Sequence, residues 1–89
     1  MKIKNGFELR TLCGEHVIIA SGRENIDFSK VVNLNESAAV MWNAVIGKEF
    51  EVADMAQALL AEYEIDEATA MADAQRIANE WVEIGMAQA

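Results

Sequence analysis

The sequence holds no proline, one cysteine and one histidine. With Cys13 alone no intrachain disulfide can form, and Cys13 with His16 cannot supply the four ligands of a structural zinc site. No apolar run approaches the ~20 residues that a membrane-spanning helix requires. The opening Met1-Lys2-Ile3-Lys4-Asn5-Gly6 leads into a charged, alternating segment, so no signal peptide is visible. Internal repeats and low-complexity segments are also missing. Bases are scarce in one half only: residues 49–89 carry ten acids and one base, Arg76, whereas residues 1–48 carry six bases against five acids. Such a field repels phosphate backbones and suits basic surfaces or peptides, although most of these acids read as a solvated helical face. What remains is an 89-residue chain of net charge −8. That length allows one small domain with a thin core. The expectation is a soluble cytoplasmic protein, a single domain over residues 1–89, with neither membrane nor nucleic acid as partner.

The first third reads as strands. Phe7, Leu9 and, after a slip, Leu12 give Phe7–Leu12 the near period of two that marks a half-buried strand. Cys13-Gly14-Glu15 supplies a turn, and the β-branched His16–Ala20 completes a hairpin. Ser21–Asn25 is polar loop chemistry, Ile26–Phe28 carry the chain back, and Lys30–Leu34 reads as a third, short strand. A three-stranded antiparallel meander of this kind needs a helical layer on one face. If its third strand lies at the sheet edge, Val31, Val32 and Asn33 offer backbone groups to an added strand, and proline at Val32 is expected to remove one donor.

Everything after Leu34 reads as helix. Asn35 is a good N-cap, and Glu36 suits the positive end of a helix dipole. Ala38, Met41, Trp42, Val45 and Ile46 share one face, and Gly47 ends the helix. A second stripe runs through Val52, Met55, Ala56, Leu59, Leu60 and Tyr63. Asp66 caps a third helix whose inner face is Ala70, Ala74, Ile77, Ala78, Trp81 and Ile84, with Gly85 as its stop. Asp73, Arg76, Glu80 and Glu83 recur on the other side. Met71 lies off the stripe and Met86 beyond the last helix, where both suit an adaptable contact surface. The predicted order is strands over 1–34, then helices over 35–86.

Catalytic chemistry is not visible. His16 lies in a strand pattern without a second histidine, and Glu15 beside Cys13 disfavours a reactive thiolate. The five glycines are scattered one per junction and form no phosphate loop. Acid pairs at Glu62/Glu64 and Asp66/Glu67 bracket a helix boundary, where capping explains them. No catalytic residue, metal site or cofactor is expected. The second and third helices have the outline of a helix-turn-helix. Its recognition helix, however, would carry Asp66, Glu67, Asp73, Glu80 and Glu83 against Arg76, the wrong sign for binding driven by counterion release.

The junction Val32-Asn33-Leu34-Asn35-Glu36-Ser37-Ala38-Ala39-Val40-Met41-Trp42 resembles the strand-to-helix signature of PqqD-like proteins. Val52–Tyr63 is similar to that family's second helix with its Leu-x-x-x-Tyr ending. Asp66, Asp73, Trp81 and Ile84-Gly85-Met86 are similar to its last helix and glycine stop. The segment Gly47-Lys48-Glu49-Phe50-Glu51 departs from the pattern, lacking the usual Thr or Ser cap. The resemblance implies an α+β, winged-helix-like fold, an N-terminal three-stranded antiparallel sheet followed by three helices. It implies a recognition element for ribosomally made, modified peptides, a non-catalytic chaperone that presents a precursor's leader segment to a modifying enzyme, often a radical-SAM protein. With the chain ending at Ala89, that enzyme is expected to be a separate protein. The leader is expected between the third strand and the third helix, by position Lys30, Val31, Val32, Asn33 and Leu34 facing Asp73, Arg76, Ile77 and Glu80. Lys30 would attract an acidic leader residue, and Asp73 and Glu80 basic ones. Two other readings stay open: a structural module that forms a homodimer through the third strand, and, against the charge, a nucleic-acid-binding winged helix.

Overall fold

The computed structural model describes residues 1–4, 6–20 and 32–89. Its elements are β1 (Lys2–Ile3), β2 (Phe7–Leu12), β3 (Glu15–Ala20), β4 (Val32–Leu34), α1 (Glu36–Val45), α2 (Val52–Glu62), α3 (Glu67–Glu83) and β5 (Ala87–Gln88). The α+β class is the expected one, with a three-stranded antiparallel sheet in the order β2-β3-β4 ahead of three helices; β1 and β5, which form a second, two-stranded sheet, were not expected. The proposed loop Ser21–Asn25 and the segment Ile26–Phe28 lie outside the described residues, as do Lys30 and Val31.

The β2–β3 hairpin turns on Cys13 and Gly14, which both have positive φ, 53° and 79°. That is the type I′ conformation, whose twist matches the flanking strands. Leu12 faces Glu15 across the turn and Phe7 faces Ala20 at the far end. In such a two-residue hairpin the flanking pair exchanges both backbone hydrogen bonds, and bonded and non-bonded pairs alternate from there. Leu12, Arg10 and Glu8 therefore bond to β3, while Thr11, Leu9 and Phe7 direct their backbone groups outward. Thr11 and His16 form a non-bonded pair, where side chains approach most closely. Thr11 Oγ1 lies 3.1 Å from His16 Nδ1. His16 is thus a strand histidine with a cross-strand partner.

Each helix begins at an acceptor. Asn35 Oδ1 accepts from the Ala38 N–H at 2.9 Å, and Asp66 Oδ1 accepts from the Thr69 N–H at 2.7 Å. In place of the missing Thr or Ser, Asp54 in the first turn of α2 reaches back, its Oδ2 accepting from the Glu51 N–H at 2.8 Å. The end of α3 is a Schellman motif: Met86 N–H donates to Trp81 C=O and Gly85 N–H to Val82 C=O. Gly85 takes φ 86° there, a left-handed position that glycine fills without a Cβ penalty.

The core gathers Ile18 and Leu34 of the sheet with Met41, Trp42, Val45, Met55, Leu59, Ile77 and Trp81 of the helices. Three stripe residues depart from expectation: Ile46, Tyr63 and Ile84 are exposed. Each sits at a helix C-cap: Ile46 and Tyr63 already have extended backbone there, while Ile84 keeps helical φ and ψ and stays on the inner face, at its open end. Met86, beyond the last helix, is buried. It leads into β5, which pairs with β1 as Lys2↔Gln88 and Ile3↔Ala87. This ribbon closes the base of the core with Ile3 and the buried Phe50, whose N–H donates to Met1 C=O at 2.8 Å. Among the described residues no helix is long and apolar enough to cross a membrane.

Candidate functional site

β4 is the edge strand, and its pairing with β3 fixes which groups it leaves open. The partners are His16↔Leu34, Val17↔Asn33 and Ile18↔Val32. Since Glu15, Val17 and Ile19 spend their backbone groups on β2, it is His16 and Ile18 that bond to β4. Leu34 and Val32 are their partners, and Asn33 directs its N–H and C=O away from the sheet. Among the described residues no strand pairs that outer edge. The ladder donor expected of Val32 therefore belongs to Asn33, while the Val32 N–H is engaged with β3.

Beside this edge lies a cleft of about 530 Å³. One wall is β4 with Asn35 and Ala38 at the start of α1; the other is the α3 face of Arg76, Ile77, Glu80, Trp81 and Ile84. Local helix geometry explains the second wall: positions 77, 80, 81 and 84 recur at three- and four-residue steps and so share one face. Trp81 and Ile77 are buried and form the floor, while Ile84 is 36 % exposed at the rim. The cleft continues past Val32 and Ile84 into a depression of about 360 Å³ closed by Met86 and Glu83. At its other end Asn33, Leu34 and Asn35 also line a hollow of about 540 Å³ beside Gly14, Glu15, His16 and Glu36.

The electrostatics are sparse. Arg76 Nη1 lies 3.3 Å from Glu80 Oε1, an i,i+4 pair with both side chains more than half exposed, so it contributes little to stability. It does place one cation and one anion on the cleft wall. Among the described residues no group of three or more His, Cys, Asp or Glu side chains is placed to hold a metal ion.

The structure brings together Val32, Asn33 and Leu34 with Arg76, Ile77 and Glu80. Asp73, one turn before Arg76 and half-buried, is not among the residues lining the cleft. Lys30 and Val31 lie outside the described residues. The sequence pattern did not point to Asn35, Ala38, Trp81 or Ile84 as site residues, whereas Met86, which suited a contact surface, lines the depression beside Val32 and Ile84. Trp81 and Ile84 had been visible as the inner stripe of α3, but as core; Ile84 at the helix end is where that stripe emerges at the rim.

The sequence profile of the family described as coenzyme PQQ synthesis protein D (PqqD) matches residues 15–87. Two solved structures share the fold, each at a TM-score of 0.74. One is TbiB1, solved in complex with the TbiA(beta) leader peptide; it is 16% identical, over 97% of this chain and 93% of that one. The other is a lasso peptide synthetase B1 complexed with the leader peptide, 24% identical over 99% of this chain and 96% of that one. No curated protein matches the chain.

Proposed function

This chain belongs to the PqqD family, and from that membership we propose that it is a non-catalytic adaptor that binds the leader segment of a ribosomally made precursor peptide and presents it to a modifying enzyme, of radical-SAM type. The observation that carries this reading is the open edge of β4 facing α3 across the cleft, with the backbone groups of Asn33 directed into solvent. An extended peptide added there pairs its main chain with Asn33, and main-chain bonds supply affinity. Its alternate side chains then project to opposite faces. Those on the core face enter the cleft over Ile77, Trp81 and Ile84, where apolar burial supplies selectivity. The Arg76–Glu80 pair at the wall favours a leader that carries charges of both signs near that contact. The same fold in two chains solved with leader peptides supports the reading.

The binding residues proposed are Val32, Asn33, Leu34, Arg76, Ile77 and Glu80, joined by Trp81 and Ile84. Lys30 and Val31, which precede β4, are included on sequence position alone. Amide-resonance titration of labelled protein with the short peptide encoded nearest its gene tests this. Saturable shifts concentrated at Val32–Asn35 and along Arg76–Ile84 are expected. Saturable shifts elsewhere would keep peptide binding but reject this site, and silence at millimolar peptide would reject both.

A further inference from the structure

The sheet has a second open edge. β2 is paired on one side by β3, and among the described residues no strand pairs it on the other. Its outward backbone groups are those of Phe7, Leu9 and Thr11, by the alternation that the turn imposes. Proteins guard an edge with proline, bulges or charged side chains. β2 has no proline, and its charges are Glu8 and Arg10 on either side of Leu9, of opposite sign, paired at 3.2 Å and both more than half exposed. Phe7 and Leu9 pack against the core and are only half-buried, so each retains an open apolar flank at this edge.

That order of charges selects a partner. A second antiparallel strand must meet outward groups with outward groups, so a second copy of β2 can add only in registers that set odd-numbered residues against odd-numbered ones. A twofold axis through Glu8 opposes two carboxylates, and one through Arg10 opposes two guanidinium groups; like charges directly opposite are destabilising. With the axis through Leu9, Glu8 faces the second copy's Arg10 on both sides, Phe7 faces Thr11, and the two Leu9 side chains meet on the core face. We infer that the chain self-associates through β2 in this Leu9-centred register, forming a twofold dimer. Its sheet then runs unbroken from one β4 to the other. The two β4 edges lie outermost, about 24 Å apart for strands ~4.8 Å from their neighbours, so both remain open. The inference stands apart from the peptide reading, since neither edge uses the other's groups.

A contact of one strand per copy is small beside a standard interface, so the dimer is expected to be weak and concentration-dependent. Sedimentation equilibrium of the full chain, carried to about 1 mM at physiological ionic strength, reads it. There the repulsion between copies of charge −8 is screened beyond ~8 Å while adjacent pairs are not. Arg10→Glu, which opposes acids with acids, is expected to weaken dimerisation about tenfold or more. The double exchange Glu8→Arg with Arg10→Glu restores complementarity and is expected to restore the dimer, which also shows that the variants fold. A wild-type chain that stays monomeric at that concentration overturns the inference. So does a dimer that ignores both charge variants, or one abolished by Asn33→Pro, which would assign the pairing to β4.

Discussion

The rings of Trp42 and Trp81 meet edge to face, their centroids 5.6 Å apart and their planes at 82°. This geometry sets the positive edge of one indole against the negative face of the other. It also joins α1 to α3 directly, and Trp81 is at once core residue and cleft floor. Trp42→Ala removes the partner without touching the cleft lining. The cost is expected at about 3–5 kcal/mol, the usual range for a large buried aromatic. A domain of this size has a total stability of only ~4–13 kcal/mol. Urea denaturation followed by far-UV circular dichroism should show a large fall in midpoint; a shift within error would mean that the two rings pack independently.

Two neighbouring prolines separate the roles of the two edges of β4. Asn33→Pro removes an outward N–H, so peptide binding should be lost while the domain keeps its native amide spectrum outside β4. Val32→Pro removes an N–H bonded to Ile18 and should detach β4 from β3, lowering thermal stability. Equal loss of stability from both substitutions, with binding equally affected, would show that the hydrogen-bond phase assigned from the Cys13-Gly14 turn is wrong.

Much of this architecture is legible in the sequence because its signals are local. Asn35 and Asp66 are caps of the expected type, and the stripes of the helices point to Met41, Trp42, Met55, Leu59, Ile77 and Trp81 as core. What was not legible depends on where elements stop. The period that places Trp81 inside also places Ile84 inside, yet α3 ends between them and the Ile84 side chain reaches the rim. The β1–β5 ribbon is too short for any periodicity, and its pairing partners stand at opposite ends of the chain. The cleft shares this difficulty. Residues 32–34 and 76–84 both carry readable patterns, but their juxtaposition is a tertiary fact. Likewise, which face of the backbone Asn33 offers follows only from the exact turn at Cys13 and Gly14, two residues of positive φ that set the hydrogen-bond phase of β3.

The rim residue Ile84 allows a test of the apolar contribution to binding. Its side chain is 36 % exposed, so Ile84→Glu should leave the folded state nearly as stable as the wild type. If leader side chains enter the cleft, the same change puts a charge where apolar contact is required, beside Glu80 and Glu83. Affinity for the peptide should fall about tenfold or more, since burying one side chain of this size is worth ~1.5–3 kcal/mol. Isothermal titration calorimetry gives the affinity and a thermal melt gives the control. Unchanged affinity would place the peptide's apolar contacts elsewhere.

The cap of α3 gives the fold a defined acid response. Hydrogen bonds from Thr69, the backbone N–H first and then the side chain, hold the Asp66 carboxyl below the ordinary carboxylate range. A carboxyl with a lowered pKa in the folded state binds its proton more readily in the unfolded chain. Its contribution to stability is therefore present in full above the ordinary carboxylate range and is lost as pH falls through the lowered value. Asp66→Asn keeps a capping oxygen and cannot titrate. The difference in Tm, wild type minus variant, should accordingly be larger at neutral pH than in acid, shrinking as the solution passes below about pH 4. Other carboxylates titrate in both proteins and cancel in the difference. A gap that stays constant across that range would mean that the charge of Asp66 is not what the first turn of α3 draws on, and that the amide alone serves the cap.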